Sequence, residues 1–246
     1  MSNSEQQYID LYNDCRQMIC SHSAGVMNAV RDGAFNDFCS QRFPDRRVER
    51  YKYTDVSKLM EPDYGLNLNR LDIPVNPYDV FRCDVPNLST SLYFVLNDSF
   101  YTKALPKSTL PEGVIIDSLS AVAERNPELI GKYYSRLAKT ASDAVTALNT
   151  MLAQDGLFVY VPRGVRVDRA VQVINICRSD VDLMINRRVL IVVEDNAEIQ
   201  LLFCDHAADD RRFLTTQVVE AYVGDNARLD LYCMEETHAK NVRISN

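Results

Sequence analysis

The chain has 246 residues, enough to bury a sizeable core in one or two domains, with 25% charged and 46% apolar residues, as in a globular rather than a disordered protein. Its formal net charge of −7 gives no basic face for nucleic acid. No apolar run approaches the ~20 residues that span a bilayer, and Met1 to Asp10 is too polar for a secretion signal, so the expected location is cytoplasmic.

Helical spacing opens the chain: Tyr8, Leu11, Tyr12, Cys15, Met18 and Ile19 recur on one face. Gly25 interrupts, a second periodic run follows from Val26 to Phe38, and Pro44 closes it. The stretch from Glu61 to Pro86 is rich in Pro, Asn and Asp and predicts irregular structure. Leu92 to Leu96 and Val114 to Ile116 predict short strands. Asp117 and Ser118 sit where a helix cap belongs, ahead of Leu119, Val122 and Ala123. Asp143 opens a stronger helix with Val145, Leu148 and Leu152 on one face, and Gly156 is expected to cap its C-terminus.

From Leu157 the texture changes to β-branched and aromatic runs: 158–161, 165–176, 181–193, 198–204 and 216–223. They are split by Pro162-Arg163-Gly164, Asp-Asn or charged turns. Within them lies a repeat. Residues 189–203 and 219–233 share six of fifteen positions at an offset of thirty: Val189/Val219, Val193/Val223, Asp195/Asp225, Asn196/Asn226, Ala197/Ala227 and Leu201/Leu231. Ordinary composition would give about one. Each copy reads strand, Asp-Asn turn, strand, which predicts stacked coils. Strand alternation turns Val189, Ile191, Val193, Ile199, Leu201 and Phe203 inward. It also turns in Val219, Ala221, Val223, Leu229, Leu231 and Cys233. The predicted fold is therefore a mixed α+β N-terminal domain, 1–155, followed by a mainly β solenoid, 156–246. No polar or helical cap follows the last coil, and the sequence reads as the front part of something longer.

The groups that could carry chemistry each have a plainer explanation. The seven cysteines, Cys15, Cys20, Cys39, Cys83, Cys177, Cys204 and Cys233, are scattered and odd in number, which suits neither a disulfide framework nor a zinc finger. Cys204-Asp205-His206, with Cys233 and His238 one coil later, would have to converge to hold a metal. The register instead sets Phe203 over Cys233 and Cys204 over Met234. Cys233 then reads as a small core residue and Cys204 falls on the opposite face. His206 stacks on Glu236 as a surface histidine, and Asp205 on Glu235. Asp205, Asp209 and Asp210 could suggest glycosidic chemistry. Arg211 and Arg212 follow directly, so neutralisation within an exposed loop is the preferred reading. Arg42 to Arg50, with Arg46, Arg47, Asp45 and Glu49, reads as a solvated surface. Pro162-Arg163-Gly164 is a turn, and no phosphate-cradling glycine motif or nucleophile elbow occurs. No catalytic or metal-ligating residue is assigned.

Three segments together resemble the SufB/SufD family of iron–sulfur cluster assembly proteins, on the SufD side. Val48-Glu49-Arg50-Tyr51-Lys52-Tyr53-Thr54-Asp55-Val56 is similar to an early aromatic-basic-Tyr-Thr segment, in which Trp usually stands at the place of Tyr51. Ala147 to Gly156, running into Leu157 to Pro162, resembles a Leu-Asn…Asp-Gly helix and the first solenoid strand. Arg188 to Leu202, echoed at Ala221 to Leu231, is similar to the family's coils. The resemblance covers about residues 48–246. It implies an incomplete right-handed parallel β-helix and a non-catalytic scaffold subunit acting with a SufB-like paralogue and a SufC-like ATPase, mostly through regions beyond residue 246. It implies no cofactor resident on this chain, no nucleic acid and no membrane. The family's Cys-Ser-His-Gly-like segment is absent, the only Ser-His pair being Ser21-His22, so no functional residue carries over. The alternatives are SufB itself, which usually carries extra N-terminal cysteines, and a β-helical carbohydrate-active enzyme.

Overall fold

A computed structural model describes residues 3–80, 91–103 and 110–246. Cys83 and the end of the irregular stretch, 81–86, lie outside the described residues. In chain order the elements begin with helices α1 (Asn3–Ser21), α2 (Gly25–Asn28), α3 (Arg31–Ser40), α4 (Val56–Leu59) and α5 (Pro77–Val80). Strands β1 (Ser91–Leu96), β2 (Ser99–Phe100) and β3 (Ile115–Ser118) follow, then helices α6 (Leu119–Arg125), α7 (Pro127–Tyr133) and α8 (Ala144–Leu152). The remainder is β: β4 (Gly156–Val161), β5 (Val171–Cys177), β6 (Leu183–Val193), β7 (Glu198–Ala207), β8 (Phe213–Val223), β9 (Arg228–Glu236) and β10 (Val242–Ser245).

The strands form two facing five-stranded sheets, ordered β2-β1-β5-β7-β9 and β10-β8-β6-β4-β3. Each coil gives one strand to each sheet: β4–β5, then β6–β7, then β8–β9, with β10 beginning a fourth. Neighbouring coils pair in parallel at the expected offset of thirty, Val193 against Val223 and Leu201 against Leu231. The Asp-Asn turns stack as well. Gly164, Asn196 and Asn226 all adopt left-handed backbone, with φ of 73°, 58° and 55°, the conformation that Gly and Asn adopt most readily. The Asp195 carboxylate accepts the Asp225 N–H at 2.9 Å, tying one turn to the next. A side chain at residue 224 would meet that carboxylate at 2.4 Å, which explains Gly224.

Strands β4, β5 and β6 are covered on both faces, so they read as near-continuous apolar runs. Between the sheets lie Val159, Val173, Val189, Ile191, Ile199, Leu201 and Phe203. Helices α2, α6 and α7 cover Phe158, Leu190 and Val192 on one outer face, and α1, α3 and α8 cover Met184, Leu214 and Ile244 beside them. The outer face of the other sheet receives Ile73, Val75 and Val80 against Phe94, Ile174 and Cys204. The N-terminal region thus adds its own strands to the solenoid: β1 runs parallel to β5, and β3 antiparallel to β4.

Three expectations need correction. Gly156 is not a helix cap. Helix α8 ends at Leu152, and Gly156 opens β4, where a β-carbon would stand 1.9 Å from the Arg188 carbonyl oxygen. Strand 165–176 shortens to β5, whereas the expected runs 198–204 and 216–223 lengthen to β7 and β8. Val223, Leu231 and Cys233 have the predicted register but are exposed: among the described residues no further strand lies over β9, and β10 covers β8 only from Leu214 to Gln217.

Candidate functional site

The alternation that places Val189 and Leu201 between the sheets also places charge there. Arg187 and Asp205 lie on the inward rows of β6 and β7, and Nη1 of Arg187 donates to Asp205 at 2.6 Å. Arg187 is 1% exposed. Its guanidinium also donates to the Asn97 carbonyl and to Gln217. Arg243 reaches Asp205 at 3.3 Å and Glu235 at 3.0 Å from the next level. A polar seam therefore runs along the inside of the solenoid beside its apolar core. Cys177 borders it, and burial pushes that thiol up to about 11. A thiol held protonated in this way is a poor nucleophile.

The adjacent Arg188 points to the opposite face. It donates to Glu220 at 2.6 Å and to the Thr150 hydroxyl at 3.0 Å, and lies over the Tyr134 ring. Glu220 also accepts the backbone N–H groups of Ser135, Leu137 and Ala138. Burial raises its carboxyl, but Arg188 and these three donors outweigh burial and hold it below the ordinary carboxylate value. Arg31 completes the set of buried cations, donating to the Met151 and Ala153 carbonyls at the end of α8. On the Asp155 carboxyl burial wins and raises the pKa, while Arg70, the Ser118 hydroxyl and the Ser120 N–H oppose it. These buried ions join helices to coils and coil to coil.

Sequence reasoning missed this set. The available signal was two adjacent arginines inside an apolar β run, which alternation sends to opposite faces, each needing a partner. Neither partner is near in sequence: Asp205 is 18 residues on and Glu220 is 32.

The residues singled out for chemistry fall as follows. Cys204 pairs with Met234, and Phe203 with Cys233, so the two cysteines occupy opposite faces. Cys204 is buried among Phe94, Ile174 and Ile176. His206 does stack on Glu236, 3.6 Å from it, but it is buried rather than on the surface. His238 sits in the turn before β10, where its Nε2 meets the Asp209 carbonyl. The acidic loop is neutralised across coils and not by its own neighbours. Asp209 pairs with Arg178, Asp210 with Lys240, and Arg212 with Asp182. Asp205 belongs to the seam and not to that loop. Pro162-Arg163-Gly164 is the first turn of the stack, with Arg163 on Asp195 at 2.7 Å. Tyr51, from the early aromatic-basic segment, is buried and donates to Asp143 at 2.9 Å. Asp143 also caps α8 through the Thr146 N–H and accepts from Asn246. That segment is a clasp between the helices and the last coil. Among the described residues no three His, Cys, Asp or Glu side chains are grouped to hold a metal, and no helix is long and apolar enough to cross a membrane.

Comparison with known proteins agrees with this arrangement. The SufBD protein N-terminal region matches residues 2–173, and the SufBD core domain of the SUF iron–sulfur cluster assembly system matches residues 176–246. An iron–sulfur cluster assembly SufBD family protein of Synechocystis is 24% identical over 238 residues, covering 93% of this chain and 50% of that protein. The chloroplastic ABCI8 protein of Arabidopsis thaliana, of the same SufBD family, is 29% identical over 80% of this chain and 37% of its own length. The iron–sulfur cluster assembly protein SufD of Bacillus subtilis is 29% identical over 47% of this chain and 26% of its own. The chain therefore spans half or less of the length of these relatives. Stacked parallel coils behind a helical region, matched from residue 2 to residue 246 by two consecutive regions of one family, lead to a single assignment: the chain belongs to the SufB/SufD family of iron–sulfur cluster assembly proteins.

Proposed function

We propose that the chain is a SufD-like scaffold subunit, without catalysis of its own, that works with a SufB-like paralogue and a SufC-like ATPase in iron–sulfur cluster assembly. The observation that carries this is the packed interior. The space between the sheets is filled by apolar rows and a paired polar seam, and the buried charges are used to join elements. Such a body suits holding partners in place. The SufD side is favoured over SufB by Cys15, Cys20 and Cys39, which occupy three separate positions on α1 and α3.

Part of this proposal is that the partner contacts lie mostly in regions beyond residue 246, so it is tested by length. A SufC-like ATPase mixed with this 246-residue chain should show weak or no binding by light scattering. A full-length SufD-like relative should form a complex with it. A tight complex with the short chain alone would place the binding surface in residues 1–246 and overturn this assignment of contacts. Turnover of a glycan by the chain would overturn the scaffold function itself.

A further inference from the structure

Residues 42–58 reverse the charge of the molecule. They carry six cations, Arg42, Arg46, Arg47, Arg50, Lys52 and Lys58, against Asp45, Glu49 and Asp55. The rest of the chain holds 21 cations against 31 carboxylates. Arg50 is committed to Asp143, and Arg47, Lys52 and Lys58 have only local partners at Asp45, Glu49 and Asp55. Arg42 and Arg46 have no ion pair among the described residues and are exposed.

The backbone that displays these cations is fixed. Phe43 is buried edge-on against Tyr8 and Phe38. Tyr51 is buried and donates to Asp143. Between these anchors, Val48 N–H bonds to Asp45 O and Tyr51 N–H to Val48 O. Apolar side chains are nevertheless left outside: Val48 is 45% and Tyr53 86% exposed. A hollow of about 420 Å³ lies here, lined by Phe43, Pro44 and Val48 together with Arg42 and Arg47. Of the two carboxylates beside it, Glu5 is buried and accepts the Phe43 N–H, and Asp45 is held by Arg47.

We infer that this surface docks a short acidic segment of a partner protein, with an apolar residue between its carboxylates. The apolar residue fills the hollow over Val48, and the carboxylates meet Arg42, Arg46 and Arg47. A rigid loop binds such a segment without first being ordered, so less of the contact energy is lost. A long polyanion fits less well, because Asp45 and Glu49 interrupt the cations and the remaining surface repels it. The inference is independent of the proposed role in cluster assembly.

The test uses the 246-residue chain and a fluorescein-labelled Glu-Glu-Leu-Glu-Glu peptide, read by anisotropy. Binding should weaken several-fold between about 50 and 200 mM salt. It should fall about tenfold in the Arg42→Ser/Arg46→Ser/Arg47→Ser variant, with the thermal melt unchanged. Val48→Ser should weaken it about threefold without altering the salt dependence. The inference is overturned if the triple variant binds like the parent, or if the Gln-for-Glu peptide binds equally. A heparin oligosaccharide that binds more tightly and ignores Val48→Ser would overturn it in favour of a polyanion site.

Discussion

The coil β6–β7 and the coil β8–β9 are built on one pattern, yet Leu201 is fully buried and its equivalent Leu231 is 39% exposed. Phe203 and Cys233, also paired, differ in the same way. In β6 every residue is buried, whereas β9 is exposed or half-exposed along its length. The pattern decides which strand pairs with which and in what register. Burial is decided by whether a neighbour lies on both sides. A solenoid coil is half a core until the next coil arrives.

The largest expected effect tests the charged part of that difference. Asp205→Ala strands Arg187 between the sheets and should cost about 3–5 kcal/mol by denaturant unfolding. Asp230→Ala, on half-exposed β9 where the carboxylate is held by exposed Arg228 and by Gln200, should shift the midpoint far less. Equal losses would mean that Arg187 finds another partner and that the seam is not a unit.

Leu201→Ala should cost about 2–5 kcal/mol, as other large-to-small core changes do. The same change at Leu231 should cost less than about 1 kcal/mol, since little area is buried there. If both variants lose the same amount, β9 is covered in solution and the contrast fails.

Glu220 offers a test by pH. It is an acid whose folded value is lowered, so it binds its proton less readily folded than unfolded. Its stabilisation is complete above the ordinary value of 4.5 and is lost as pH falls through the depressed folded value. The Glu220→Gln variant should lack that part of the acid loss while keeping its position over Ser135 to Ala138. An unchanged acid limb would assign the loss to other carboxylates.

The smallest effect is expected in metal content. Because Cys204 and Cys233 occupy opposite faces, elemental analysis of the purified chain should show no stoichiometric zinc or iron. One equivalent, lost on Cys204→Ser or His206→Ala, would break the face argument.

The sequence by itself determined the stacked coils, their offset of thirty and the inward rows, because alternation and turn chemistry are local. An Asn in the left-handed position and a Gly beneath an Asp side chain need only their neighbours in the repeat. The caps Ser118 and Asp143 were legible for the same reason. The family was legible from short segments of sequence, although the role of one of them, the clasp of Tyr51 on Asp143, is long-range and appears only in the fold. The tertiary structure alone decided where the charges go. Asp205 reads as a loop acid beside Asp209 until β7 is paired, and His206 reads as exposed until β5 lies beside it. Gly156 looked like a helix cap until the Arg188 carbonyl came within reach of it. Partners of a buried ion are chosen by space and not by sequence distance. A coil's neighbours, not its own residues, settle which of its side chains leave water.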